Sequence, residues 1–255
     1  MDIDATLSFE PRTSNLELKA SNVELKTLEF EVSARQCHDR SAVLTISEVY
    51  LSVQGESTHT GRPCTFVRLT ACNLRCTWCD TPYAFTGGQK RSVQDVVGEV
   101  KTLACPLVEI TGGEPLIQSE VHLLMTELID QGFEVLLETG GHMPLDQVPD
   151  EVVAIVDVKC PASGEAEKMF WPNLDQLSPR DEVKFVIQDR RDFDYAVAVV
   201  HRHKLAERTA AVLFSPVHGV LEPAALARWI LEARVPARLQ LQMHKYVWSP
   251  ETRGV

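Results

Sequence analysis

From residue 43 onward the chain alternates between two hydrophobic periods. Val43-Leu44-Thr45-Ile46 and then Glu48-Val49-Tyr50-Leu51-Ser52-Val53-Gln54-Gly55-Glu56 make a β-rich run that stops at a glycine turn. Residues 65–70 read as the next strand. Ser92 then caps a helix whose apolar positions, Val93, Val96, Val97, Val100 and Leu103, repeat with the spacing of one helical face. A strand over 107–111 leads into a helix over 115–131, with Leu123, Leu124, Leu128 and Ile129 turned inward and Gly132 as its stop. Further strands are expected at 133–139, 152–158, 182–187, 211–215 and 239–243. Further helices are expected at 192–205 and 222–234, the second with Pro223 in its first turn.

Strand and helix in alternation imply parallel pairing through right-handed crossovers, hence an α/β fold. The stretches after Thr139 and Lys159 are too short or too irregular for full helices. A chain of 255 residues less an arm does not hold eight strand-helix units. The expected architecture is a partial, open β/α barrel over residues 43–255. Residues 1–42, where Leu16, Leu18, Val23, Leu25, Leu28, Phe30 and Val32 alternate loosely among charges, are expected to be an arm, part strand and part disordered. In such folds chemistry gathers at the carboxyl ends of the strands.

Composition narrows the setting. With 44% hydrophobic and 24% charged residues, the chain is an ordinary globular protein and neither coiled coil nor disordered. No run approaches the roughly 20 apolar residues of a spanning helix, and Met-Asp-Ile-Asp lacks the basic and apolar regions of a signal peptide. A cytosolic protein without membrane contact is therefore expected. A net charge of −11 opposes phosphate backbones and argues against direct nucleic-acid binding. The 7 cysteines, an odd number in a reducing compartment, point to metal binding or chemistry in place of disulfides.

Three of them form Cys72-Asn73-Leu74-Arg75-Cys76-Thr77-Trp78-Cys79, a C-x3-C-x2-C loop directly after a strand. Three thiolates on one tight loop converge on one inorganic centre. A structural zinc site would want a fourth ligand, and no second C-x2-C occurs in the chain. On a [4Fe–4S] cluster, three cysteines leave one iron free to bind a substrate. The second signal is Thr111-Gly112-Gly113-Glu114-Pro115 at a strand-helix junction, where two glycines allow close backbone approach to a ligand. Glu138-Thr139-Gly140 and Asp157-Val158-Lys159-Cys160-Pro161 end the next two strands.

The cysteine loop and the Gly-Gly-Glu-Pro turn together resemble the radical S-adenosylmethionine (SAM) superfamily. The run 48–56, then Gly61-Arg62-Pro63-Cys64-Thr65-Phe66-Val67-Arg68-Leu69, Asp80-Thr81 and the ending His244-Lys245-Tyr246-Val247-Trp248 are similar to its 7-carboxy-7-deazaguanine synthase family. The resemblance implies a [4Fe–4S] cluster on Cys72, Cys76 and Cys79. It implies SAM at Trp78, Gly113, Glu114, Glu138, Thr139 and Lys159, and Mg²⁺ at Thr81. It further implies 6-carboxy-5,6,7,8-tetrahydropterin at Val53, Gln54, Gly55, Glu56, Arg68 and Thr111. The implied reaction is a SAM-initiated radical ring contraction to 7-carboxy-7-deazaguanine with loss of ammonia, a precursor step of queuosine biosynthesis, with SAM regenerated and no protein acid or base assigned. A flavodoxin or ferredoxin as reductant and a homodimer are implied as well. Ser57 and Ala71 stand where the family commonly has glycine, and Asp157-Val158-Lys159 replaces a Ser-Pro-Lys segment. The rival readings are a glycyl-radical activating enzyme and, from another class, a zinc-stapled interaction module. Cys37, Cys64, Cys105 and Cys160 have no partner spacing and are expected to be packing residues.

Overall fold

The β-rich run from residue 43 forms one long strand, β1 (Val43–Val53), at the antiparallel side of a nine-stranded sheet. The computed structural model describes residues 42–254, so all but the last residue of the 1–42 arm lies outside them. β1 pairs antiparallel with β2 (Pro63–Leu69) and β3 (Gln89–Ser92). From β2 the sheet runs parallel through β4 (Leu107–Gly112), β5 (Glu134–Thr139), β6 (Val153–Asp157), β7 (Glu182–Ile187), β8 (Ala211–Pro216) and β9 (Arg238–Leu239). The α/β class and the open sheet are as expected. The parallel pairing holds from β2 onward and fails for β1 and β3.

Helices α1 (Val93–Thr102), α2 (Val121–Asp130), α3 (Arg190–His203) and α4 (Pro223–Ala233) pack on one face. Strand alternation divides the residues cleanly. Val67, Leu69, Val108, Ile110, Val135, Leu137, Val156, Val183, Phe185, Val212 and Phe214 meet the helices in the main core. The other face carries a small apolar floor of Cys64, Phe66, Leu107, Leu136 and Ile155, and then a buried charged layer that includes Glu109, Asp157 and Lys184.

The charged face is concave. β1 and β7 are five strand spacings apart, about 24 Å in a flat sheet. Yet Glu56, three residues beyond the end of β1, pairs its Oε2 with Lys184 Nζ on β7 at 2.8 Å. Three residues span only about 10 Å, so the sheet must curl around this face. Thr58 makes the same crossing, its N–H donating to Glu182 Oε2 at 3.0 Å.

One element was not expected and two expected ones differ. β3 has no apolar residue to announce it; its backbone pairs with the first half of β1, from Val43↔Ser92 to Ile46↔Gln89. The helix over 115–131 is split into a 3-10 turn, Pro115–Ile117, and α2. Gln118 breaks it: its Oε1 accepts from Thr45 N–H at 2.7 Å, and its Nε2 donates to the carbonyls of Thr45 and Thr70 at 3.0 and 2.9 Å. The strand over 239–243 ends at Leu239, because beyond Gln240 the chain turns across the barrel and Met243 N–H donates to Gly55 O at 2.9 Å. Among the described residues no helix is long and apolar enough to cross a membrane.

Candidate active site

The three cysteines lie on the loop that follows β2, half-buried and in no disulfide. Several contacts fix this loop. Arg75 N–H donates to Glu165 Oε1 at 2.6 Å, its Nη1 to Cys72 O at 2.7 Å, and its guanidinium lies 4.2 Å from the Phe85 ring centre. Thr77 N–H donates to Ser163 O at 3.1 Å. His142 hydrogen-bonds Asn73 Oδ1 through Nε2; burial and then the Lys159 charge push its pKa down to about 4, so the imidazole is neutral at pH 7.

Burial raises the Cys72 and Cys76 thiols, while the Lys159 charge pulls both back. An all-thiol donor set on a braced, partly buried loop beside a cation fits an anionic iron–sulfur cluster. Thr81 places its hydroxyl 3.9 Å from Cys79 Sγ, and Trp78 is half-buried on the same loop.

The Gly-Gly turn after β4 presses on the cysteine loop. A Cβ on Gly113 would lie 2.1 Å from Ala71 O, and Glu114 N–H donates to that same carbonyl at 2.8 Å. Glu114 itself is 0% exposed. Its carboxylate accepts from Leu116 N–H at 3.2 Å, Thr139 Oγ1 at 2.9 Å and Gly140 N–H at 2.8 Å. Glu114 and Thr139 therefore close on each other and clasp the ends of β4 and β5. Lys159 Nζ is held by Asp157 Oδ2 at 2.7 Å.

The barrel interior gathers a different set. Gln54 is 2% exposed, with Nε2 donating to Glu109 Oε2 at 2.5 Å and Oε1 accepting from Glu56 N–H at 2.5 Å. Glu56, Thr111 and Glu138 come together around Lys184: Glu56 at 2.8 Å, Glu138 in direct contact, and Thr111 Oγ1 donating to Glu138 Oε2 at 3.4 Å. Burial would raise Glu56, but the Lys184 charge together with the hydrogen bonds from Lys184 and Gln242 holds the carboxyl below its ordinary value. Glu109 is pushed well up, first by burial and then by the Glu138 charge. Val53 ends β1 beside this group. Arg68 lies on β2 in register with Thr111 of β4, its Nε donating to Glu48 at 2.7 Å and its Nη2 to Tyr50 OH at 2.8 Å.

Pattern reasoning missed Glu109, Lys184 and Gln242. The first two had a visible signal: a charge inside an otherwise apolar buried strand, in Leu-Val-Glu-Ile and Val-Lys-Phe-Val. Gln242, which donates to Glu56 Oε1 at 3.0 Å and Asp80 Oδ2 at 3.1 Å, had none.

A protein-family model described as the Radical SAM superfamily matches residues 67–207. The 7-carboxy-7-deazaguanine synthase of Koribacter versatilis is 50% identical over 83% of this chain and 100% of its own length. That of Chlorobaculum tepidum is 42% identical over 84% of this chain and 98% of its own. The crystal structure of QueE from Escherichia coli shares the fold, with a TM-score of 0.69 at 22% identity, over 83% of this chain and 100% of that one. With the cysteine loop inside the matched segment, and half its residues shared along the full length of a relative, this chain belongs to the 7-carboxy-7-deazaguanine synthase family of radical SAM enzymes.

Proposed function

We propose that the chain converts 6-carboxy-5,6,7,8-tetrahydropterin to 7-carboxy-7-deazaguanine with loss of ammonia, at the cysteine-loop end of the barrel. The observation that carries this is the 50% identity over the whole length of a synthase. It leaves the zinc staple and the glycyl-radical activating enzyme without support. When bound, the cluster and SAM supply the one-electron chemistry that starts the rearrangement.

The chain's own residues bind and orient. Cys72, Cys76 and Cys79 hold the cluster, and Thr81, beside Cys79, offers a hydroxyl to Mg²⁺. Gly113 brings backbone against the cysteine loop, and Trp78 and Lys159 border the SAM site from two sides. Glu114 and Thr139 serve that site by clasping the strand ends. In the interior, Glu56 and Thr111 offer an acceptor and a hydroxyl to a donor-rich ring, with Val53 and Gly55 at the same turn, where Gly55 leaves room for His244, and Glu138, across Lys184 from Glu56, serves SAM. Gln54 orients Glu56, and Arg68, fixed by Glu48 and Tyr50, supplies a positive field. A cytosolic homodimer fed by a flavodoxin or ferredoxin completes the proposal, supported by the family resemblance.

The test is anaerobic reconstitution with iron and sulfide, then SAM, reductant, Mg²⁺ and the pterin, with the product read by mass spectrometry. The expected outcome is the deazapurine from wild type, and loss of cluster absorbance with activity in Cys72→Ala, Cys76→Ala and Cys79→Ala. SAM cleavage without pterin turnover would overturn the substrate, and full activity in any cysteine variant would overturn the cluster assignment.

A further inference from the structure

Lys184 is 4% exposed in the middle of β7, on the concave face. Its ammonium is shared between two carboxylates from separate parts of the chain: Glu56 Oε2 at 2.8 Å, on the loop that enters the barrel after β1, and Glu138 Oε1, on β5 two strands away. Among the described residues no other lysine or arginine pairs with either carboxylate. The half-buried cation nearby, Lys159, is committed to Asp157 at 2.7 Å. Removing the Lys184 charge would leave Glu56 and Glu138 facing each other in a buried space that already holds Glu109.

Stability alone does not account for such a group. A buried ion cluster is often no more stabilising than apolar residues of the same volume, and the floor of this same face is apolar. What the ammonium adds is direction: one tetrahedral donor fixes the distance between the Glu56 loop and β5, and Gln242 holds the other Glu56 oxygen at 3.0 Å.

We propose that Lys184 is a positioning residue for both halves of the site, setting Glu56 for the pterin and Glu138 for SAM through one shared ammonium. This rests on the reading of Glu56 and Glu138 given above.

The experiment compares wild type, Lys184→Met and Lys184→Arg as anaerobically reconstituted holoenzymes. Iron content, thermal midpoint, the Kd of SAM by equilibrium dialysis, and KM and kcat for the pterin are measured. Lys184→Met is expected to keep wild-type iron while the Kd of SAM and the KM of the pterin both rise about tenfold or more, the loss of one charged hydrogen bond at each. Lys184→Arg is expected to keep the thermal midpoint and still raise both severalfold, because a flat guanidinium cannot take the ammonium's place between two carboxylates. It decides alone if the Met variant does not fold. Folded variants that bind both ligands within twofold of wild type, or that lose only one of them, overturn the proposal. Failure of wild type to turn over the pterin would instead sink the functional reading, and the SAM measurement would still test the Glu138 half.

Discussion

Ala71 sits at φ +83° directly before the first cysteine, and Ser57 at φ +58° in the loop that enters the barrel. Both stand where the family commonly has glycine, and the left-handed backbone gives the reason. Ser57 gains a partial return, since its Oγ accepts from His59 N–H at 3.1 Å. Ala71→Gly should therefore stabilise the fold by up to about 1 kcal/mol, checked by chemical denaturation; a loss of stability would show that Ala71 is not strained. Glu109 gives a pH signature. Its folded pKa lies above its ordinary 4.5, so the unfolded chain releases this proton first and the fold loses stability as pH rises above that value. Glu109→Gln keeps an acceptor for Gln54 and removes the ionisation. Its stability relative to wild type should improve between pH 5 and pH 8, and an equal difference at both would refute the upward shift of the Glu109 carboxyl. At this scale the cysteines and glycines were legible because their spacing or backbone freedom is itself the signal. Glu109 and Lys184 were half legible: a charge inside an apolar strand is a visible signal, but it does not announce which face it takes or which partner it meets.

Gln118 is the clearest case at the scale of elements. Apolar spacing runs continuously through 115–131, so the pattern predicts one helix. It cannot show that a single amide interrupts it to serve backbone groups of Thr45 and Thr70. Gln118→Ala would restore helical propensity and yet is expected to cost about 2–4 kcal/mol, because Thr45 N–H and Thr70 C=O lose their partner, while Thr45 C=O keeps Thr70 N–H. A denaturation midpoint unchanged from wild type would contradict this. β3 escaped detection for the complementary reason: Gln89-Lys90-Arg91-Ser92 is held by β1's backbone and needs no side-chain face of its own. Elements whose burial is carried by their own side chains, such as α1 with Ser92 accepting from Asp95 N–H at 3.1 Å, were read nearly to the residue.

On the scale of the molecule, the last stretch of chain crosses the barrel and ties together parts that the sheet alone leaves separate. Met243 bonds Gly55 at 2.9 Å, Gln242 joins Glu56 to Asp80, and Lys245 Nζ meets Asp80 Oδ2 at 2.7 Å. Burial opposes ionisation of Asp80, but the Lys245 charge and the hydrogen bonds from Lys245 and Gln242 together set its pKa at about 2, although the side chain is still 45% exposed. Farther along, Arg253 covers the Tyr83 ring at 3.9 Å. The Glu56 loop and the residue after Cys79 are thus held by the same few side chains. The main core needs none of them, since its last buried member is Val235. Ending the chain at Leu241 should therefore leave the thermal midpoint within a few degrees and the iron content at the wild-type level, while KM for the pterin rises about tenfold and kcat changes less. Steady-state kinetics and iron analysis on the shortened holoenzyme would decide it. Unfolding would mean that the crossing segment is structural, and an unchanged KM would mean that the Glu56 loop keeps its place without it.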